Sequence, residues 1–360
     1  MAAAPARGQS NKRDPMGRAE GGGELEYLCV DAFIGDLAGA RALASAFELG
    51  VVDHLLAHQT CAAADLARRA RLDEGGLALL LGLLCAGGVV DTADGNVRLS
   101  GRFTDALRFR DLLEAKLEVA AVAAADVLES FTALLADSRR FQASARIFEL
   151  FAYQRCFEPT PENFAHTARW MRFTTALTRY EAPVCLARHD FSRYRRMLDV
   201  GGNSGEFARQ ACRRHAGLRA TVVDLPLVCE LGRRHLRAAL EAERIEFTNA
   251  AADGGELPGG QDLVTFKSML HDWPEAEMRL FLARARAALA PGGTVLIFER
   301  CRFDPGLAPL PYGALPLALF FRSYRERHAY AAPLAEAGFR EVRIETVDLD
   351  LPFVLATGRA

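Results

Sequence analysis

The stretch "LDVGGNSGEFA" (residues 198–208) passes from a strand-like apolar start through a glycine-rich turn into a helix, and its spacing decides the fold. Gly201 and Gly205 let the backbone turn tightly and approach a ligand, with a helix N-terminus left open behind them. Nucleotide dehydrogenases hold pyrophosphate with glycines spaced G-x-G-x-x-G. Here the pattern is D-x-G-x-x-x-G. Asp199, placed ahead of the glycines, repels a pyrophosphate and attracts an ammonium group. Asp224 ends the next strand in "TVVDLP", where one acid can accept both hydroxyls of a ribose. An ammonium end, a ribose and no phosphate describe S-adenosylmethionine.

Around this turn, apolar runs of strand length alternate with helical patterns from Arg195 onward: "RMLDVGG", "FARQACRRHA", "RATVVDLP", "VCELGRRHLRAAL", "RIEFTNA", "DLVTFKSML", "AEMRLFLARARAAL" and "GTVLIFER". Such βα alternation predicts an α/β fold with a mostly parallel, Rossmann-like sheet covered by helices on both faces. The closing "FREVRIETVDLDLPFVLATGR" reads as two strands pairing antiparallel at the sheet edge. Upstream, "CAAADLARRARL" and "GGLALLLGLLCAGG" read as two helices followed by a hairpin turning at "ADGN". Helix, helix, hairpin is the outline of a winged-helix unit. Its second helix is almost wholly apolar and carries no basic row, which points to packing or dimerisation rather than DNA reading. The divisions expected are a disordered tail over 1–23, a mainly α winged-helix-like dimerisation domain over 24–110, a helical active-site roof over 111–180, and a cofactor-binding domain over 181–360.

Composition narrows the partners. Half of the 360 residues are hydrophobic and the formal net charge is −2, so neither nucleic acid nor an anionic membrane surface is an expected partner. No apolar run in the sequence reaches membrane-spanning length. The eight cysteines are scattered without a CxxC pair, the pattern of reduced thiols in a cytoplasmic protein.

Five motifs carry a resemblance: "LDVGGNSGEF", "VVDLP", "FKSMLHDWPE", "LAPGGTVLIFE" and "LAEAGF". Together they make the chain similar to the S-adenosylmethionine-dependent small-molecule O-methyltransferases, over residues 25–358. The resemblance implies that Gly201, Gly202 and Gly205 shape the methionine pocket beside Asp199. It places Asp224, followed by Leu225, on the ribose, Asp253 near the adenine and Lys267 near the methionine end. It implies a homodimer as well. In this pattern the histidine of "HDW", His271, is the general base, and histidine suits that task at neutral pH. Asp272 orients it or the substrate, or serves as an acid at the start of the next helix.

A second resemblance competes at the acceptor end. His328, behind Phe320 and Phe321, resembles the second ligand of metal-dependent 2-oxo acid C-methyltransferases of the phenylpyruvate type. There, His271 and His328 would hold a transition metal such as iron, and Arg155 in "FAYQRCFE" would grip the substrate carboxylate. Glu326 is the orienting acid in the plainer O-methylating reading. The sequence leans to C-methylation of a 2-oxo acid and leaves O-methylation of a phenol or other hydroxyl open. A non-catalytic winged-helix regulator is the remote alternative. The methyl acceptor is not named by the sequence.

Overall fold

The structure, a computed structural model, describes residues 23–249, 255–302 and 310–360. A 3-10 turn over Glu26–Phe33 leads into helices α1 (Leu37–Glu48) and α2 (Val51–His58). A two-residue strand β1 (Cys61–Ala62), helices α3 (Ala63–Ala70) and α4 (Glu74–Ala86), and strands β2 (Val90–Ala93) and β3 (Asn96–Leu99) follow. The small sheet has the order β1-β3-β2. Its hairpin turns where the sequence placed it, because Asp94 and Gly95 both adopt positive φ (52° and 75°), the backbone of a tight two-residue turn. Asp73 caps α4 by accepting from the Gly76 amide at 2.7 Å. The helix then buries Leu77, Leu80, Leu81 and Leu84 in the N-terminal core.

Next come α5 (Gly101–Ala106) and α6 (Arg110–Ala136), a continuous helical stretch long and apolar enough to cross a membrane by length and composition. The sequence reading found no such run, because Glu114, Lys116 and Glu118 interrupt the apolar order while the alanines beyond them raise the mean hydropathy. Leu112, Leu113 and Ala120 of α6 have no exposed surface, whereas Leu128, Phe131 and Leu135 toward its end are exposed. Helices α7 (Ser138–Ser144) and α8 (Arg146–Leu150), a 3-10 turn over Tyr153–Phe157, and α9 (Pro161–Arg188) complete the helical layer. They share a core that includes Phe141, Ile147, Leu150 and Trp170.

The second half is a seven-stranded sheet built from β4 (Arg196–Val200), β5 (Arg219–Asp224), β6 (Ile245–Asn249), β7 (Gln261–Lys267), β8 (Leu289–Arg300), β9 (Arg340–Asp348) and β10 (Pro352–Arg359). Its order is β6-β5-β4-β7-β8-β10-β9. Strands β4 to β8 pair parallel to their neighbours. The intervening helices are α10 (Glu206–Arg214), α11 (Pro226–Leu236), α12 (Glu275–Ala288), and, between β8 and β9, the short α13 (Leu315–Leu319) and α14 (Ala331–Glu336). The two closing strands do pair antiparallel, but β10 also inserts antiparallel along β8, leaving β9 as the edge. Burial explains the order: Phe353, Val354, Leu355 and Ala356 of β10 are buried, whereas β9 is largely exposed. The chain reverses strand order between β4 and β7, and ligands in open α/β sheets bind at that crevice, outside the carboxyl ends.

A buried chain of charges joins the two halves. Glu181 of α9 accepts from Lys267 Nζ at 2.5 Å and pairs with Arg300. Arg300 lies 3.5 Å from Asp350, Lys116 lies 3.8 Å from the same carboxylate, and Lys116 reaches Asp31 at 2.6 Å. Three cations and three carboxylates thus alternate from the strand ends to the N-terminal turn. Removing one member of a buried set leaves its partners uncompensated, which costs far more than the pair contributes. Glu181→Ala is therefore expected to destabilise the fold by about 3–5 kcal/mol. Thermal unfolding within a degree or two of the parent would contradict this.

Candidate active site

At the carboxyl ends of β4, β5, β7 and β8, under the helical layer, lies a cavity of about 1710 Å³. Single-ligand pockets run to roughly 300–1,000 Å³, so there is room for two small molecules side by side.

One end is built largely from backbone. Gly201 has φ +67°, and a Cβ there would fall 2.4 Å from Met269 Cγ, so no other residue fits. Gly202 is pressed onto Asp199, whose Oδ2 would lie 2.6 Å from an added Cβ. Gly205 starts α10. Asp224 ends β5 with Oδ2 accepting from the Asn203 amide and Oδ1 from the Leu225 amide, both at 2.7 Å. A carboxylate has about four lone-pair sites, so each oxygen keeps one acceptor position toward the cavity that Asp224 lines. That is the arrangement a cis-diol requires. Burial pushes Asp224 up to about 6, against the pull of those two amides.

Gly201, Asp224, Leu225 and Lys267 all line the cavity, together with Asn203, Thr248 and Asn249. Sequence reasoning passed over Thr248 and Asn249, reading "RIEFTNA" only as a strand. Asp199 differs from expectation. It is 1% exposed, accepts from Thr265 Oγ1 at 2.7 Å, and sits behind the glycine turn instead of lining the cavity. Burial raises it to about 7, and its Oδ2 has no hydrogen-bond partner. Gly202 and Gly205 also shape the turn from behind. Asp253 lies outside the described residues. Lys267 reaches Thr178 Oγ1 at 3.1 Å besides Glu181. These residues fit a donor with a ribose and no phosphate.

The other end holds His271 on a 3-10 turn, Leu270–Asp272, just after β7. Glu299 of β8, with no exposed surface, accepts from the Met269 and Leu270 amides through Oε1, each at 2.7 Å. Its Oε2 lies 2.6 Å from His271 Nδ1. A carboxylate only accepts, so Nδ1 carries the hydrogen and Nε2 is left as the basic nitrogen. Asp272 Oδ1 stands 3.4 Å from Nε2. Burial opposes protonation of His271, but Asp272 and Glu299 outweigh it and hold its pKa above the usual imidazole value. Arg325 fastens the turn by donating to the Leu270 carbonyl at 2.7 Å and to that of Trp273. The Tyr324 ring lies 5.5 Å from the imidazole, and elsewhere on the cavity wall Phe320 packs on Phe148 and Phe151, with ring centroids 5.3 and 5.9 Å apart.

Three expectations are corrected here. Glu326 is not the orienting acid: it is exposed and pairs with Arg302 at 3.3 Å, while Glu299 does that work. The sequence carried a signal for it, since a glutamate closing the otherwise apolar "TVLIFE" needs a buried partner. Arg155 does not line the cavity and is engaged by Glu162 at 3.2 Å and Glu149 at 3.7 Å. His328 is exposed and off the cavity wall, and no group of three or more His, Cys, Asp or Glu suited to a metal occurs among the described residues. With His328 exposed and away from the cavity that His271 lines, the residues do not fit a metal held by His271 and His328.

Comparison with known proteins gives the family. The family model of the O-methyltransferase domain matches residues 133–340. A 3-hydroxy-5-methyl-1-naphthoate 3-O-methyltransferase of Streptomyces sahachiroi is 37% identical over 157 residues, 43% of this chain and 46% of that protein. The acetylserotonin O-methyltransferase of Bos taurus is 35% identical over 168 residues, 46% and 48% of the two chains. The chain thus spans about half the length of the curated relatives it matches. The apo structure of the S-adenosylmethionine-dependent methyltransferase SibL superposes with a TM-score of 0.62 at 25% identity, covering 89% of this chain and 95% of that one. The two curated relatives are O-methyltransferases, against the C-methylation of a 2-oxo acid favoured by the sequence. With more than half of its length matched by that family model, the chain, whose His271 and Asp224 line one cavity, belongs to the O-methyltransferase domain family.

Proposed function

We propose that this protein transfers a methyl group from S-adenosylmethionine to a hydroxyl oxygen of a small aromatic molecule, with His271 as general base. The observation that carries the reading is the Glu299–His271 contact at 2.6 Å, which turns Nε2 into the acceptor nitrogen. The bound donor supplies a sulfonium-activated methyl group. His271 Nε2 takes the acceptor's proton as its oxygen attacks, and Asp272 and Glu299 offset the charge the imidazole gains. The aromatic side chains around Phe320 exclude water and orient a flat ring, so alignment supplies much of the barrier lowering. Asp272 faces this end, and Lys116, Lys267 and Arg300 on the cavity wall are each engaged by a carboxylate.

We further propose a domain division, an assembly and a cellular setting. The division into an N-terminal unit over 24–110, a roof over 111–180 and a donor-binding unit over 181–360 follows the change from helices to parallel sheet. A homodimer is supported by apolar side chains on the N-terminal surface, among them Leu56 at 48% and Leu79 at 66% exposure. A reducing, cytoplasmic setting is supported by eight free cysteines.

His271→Gln is expected to lower kcat by about 10²–10⁴-fold while calorimetry finds S-adenosylhomocysteine bound as before; an undiminished rate would remove His271 as base. Because the base must be neutral and its pKa is raised, the acid limb of kcat should have its midpoint above about 6.5. A midpoint at or below that value speaks against the flanking carboxylates. Affinity for S-adenosylhomocysteine should weaken as pH falls through about 6, where Asp224 takes up a proton, and Asp224→Ala should abolish that dependence. Tight binding by the Ala variant would show that the ribose lies elsewhere.

A further inference from the structure

Tyr153 projects from the 3-10 turn beneath the helical layer and donates from its hydroxyl to Asp272 Oδ2 at 3.0 Å. Its ring is set edge-on to Trp170 with centroids 5.5 Å apart, and Trp170 is 3% exposed. The other oxygen of the same carboxylate, Oδ1, is the one 3.4 Å from His271 Nε2. We propose that Tyr153 is a positioning residue that holds Asp272 against His271, so that the roof over the cavity sets the geometry of the base. This rests on the reading of His271 as general base.

A carboxylate beside a reacting hydroxyl has an alternative to the imidazole: it can rotate and accept from the hydroxyl itself. With the Tyr153 hydrogen on Oδ2, that rotation breaks an existing bond, and Oδ1 stays with Nε2. In the transfer, the acceptor's proton moves to Nε2, Asp272 remains ionised, and Tyr153 keeps its own proton. Burial, and after it the charge of Asp272, raises the phenol well above its ordinary value, so it serves as a neutral donor throughout. The other groups facing this pair are Glu299 and Arg300 from β8, the Tyr324 ring 5.5 Å from His271, and Arg325. Of the groups facing Asp272 Oδ2, Tyr153 is the one that donates a hydrogen bond to it among the described residues. Tyr153 and Trp170 both line the cavity. An aromatic acceptor seated there packs on the ring whose hydroxyl fixes Asp272, which ties acceptor fit to base geometry through one side chain.

A double-mutant cycle tests this: Tyr153→Phe, which keeps the ring on Trp170, Asp272→Ala, and the pair. Two readouts are taken on the full chain saturated with S-adenosylhomocysteine or S-adenosylmethionine. The first needs no acceptor: nitrogen NMR of selectively labelled histidine, following the His271 ring. Tyr153→Phe is expected to lower the His271 midpoint and to do nothing further once Asp272 is Ala. The second is turnover of a panel of phenols and naphthols, where Tyr153→Phe should lower kcat about tenfold, the worth of one hydrogen bond to a charged group. The acceptor's KM should stay within about twofold. Again the loss should vanish in the Asp272→Ala background. Independent effects in the cycle, or a His271 midpoint unmoved by Tyr153→Phe, overturn the proposal, as does a change confined to KM. A full rate in His271→Gln would overturn the base reading instead, and the NMR cycle would still decide the role of Tyr153.

Discussion

Glu299 is the constraint on which the acceptor end depends. It has no exposed surface, and its two oxygens accept three hydrogen bonds: two from the amides of Met269 and Leu270, one from the His271 ring. A buried carboxylate without such partners would cost several kcal/mol, so the turn after β7 and the ring orientation are stabilised together or lost together. Arg325 satisfies the opposite polarity of the same turn, donating to the Leu270 and Trp273 carbonyls. Two charges brought from later in the chain therefore complete a three-residue turn whose own backbone bonds run only from Asp272 to Met269 and from Trp273 to Leu270.

The two ends of the cavity are encoded differently. At the donor end the main contacts are local or between adjacent parallel strands: Asp224 is held by the Leu225 amide next to it and by the Asn203 amide in the turn after β4. A tight turn that excludes a Cβ can be recognised in the letters of the sequence, since glycine alone fits it. The alternation of strands and helices was legible for the same reason, as was the hairpin at Asp94–Gly95. Each signal spans a few residues.

The acceptor end was legible only in part. "HDW" placed His271, but nothing local states which carboxylate faces the ring. Glu326 and His328 lie in a promising segment, yet it is the backbone-clamping Arg325 of that segment that meets the His271 turn. Arg155 points to Glu149 and Glu162, away from the cavity. Tyr153, two residues before it, is the one that reaches Asp272, across 119 positions of sequence. Such pairings depend on how α9 and the roof turn settle over the sheet, and no spacing rule reports that.

Charge conservation links the two ends. In the proposed transfer the donor arrives with a positive sulfur, the acceptor arrives neutral, and both products leave neutral. The positive charge therefore crosses the cavity and ends on the His271 imidazole as a proton. Asp272 and Glu299 already face that ring from two sides, fixed by Tyr153 and by the turn amides, so little reorganisation is needed when the charge arrives. Groups held in place before reaction stabilise developing charge better than mobile solvent does. The same carboxylates that raise the affinity of His271 for a proton make it a stronger base at the moment of methyl transfer. Its resting occupancy at lower pH is the cost of that strength.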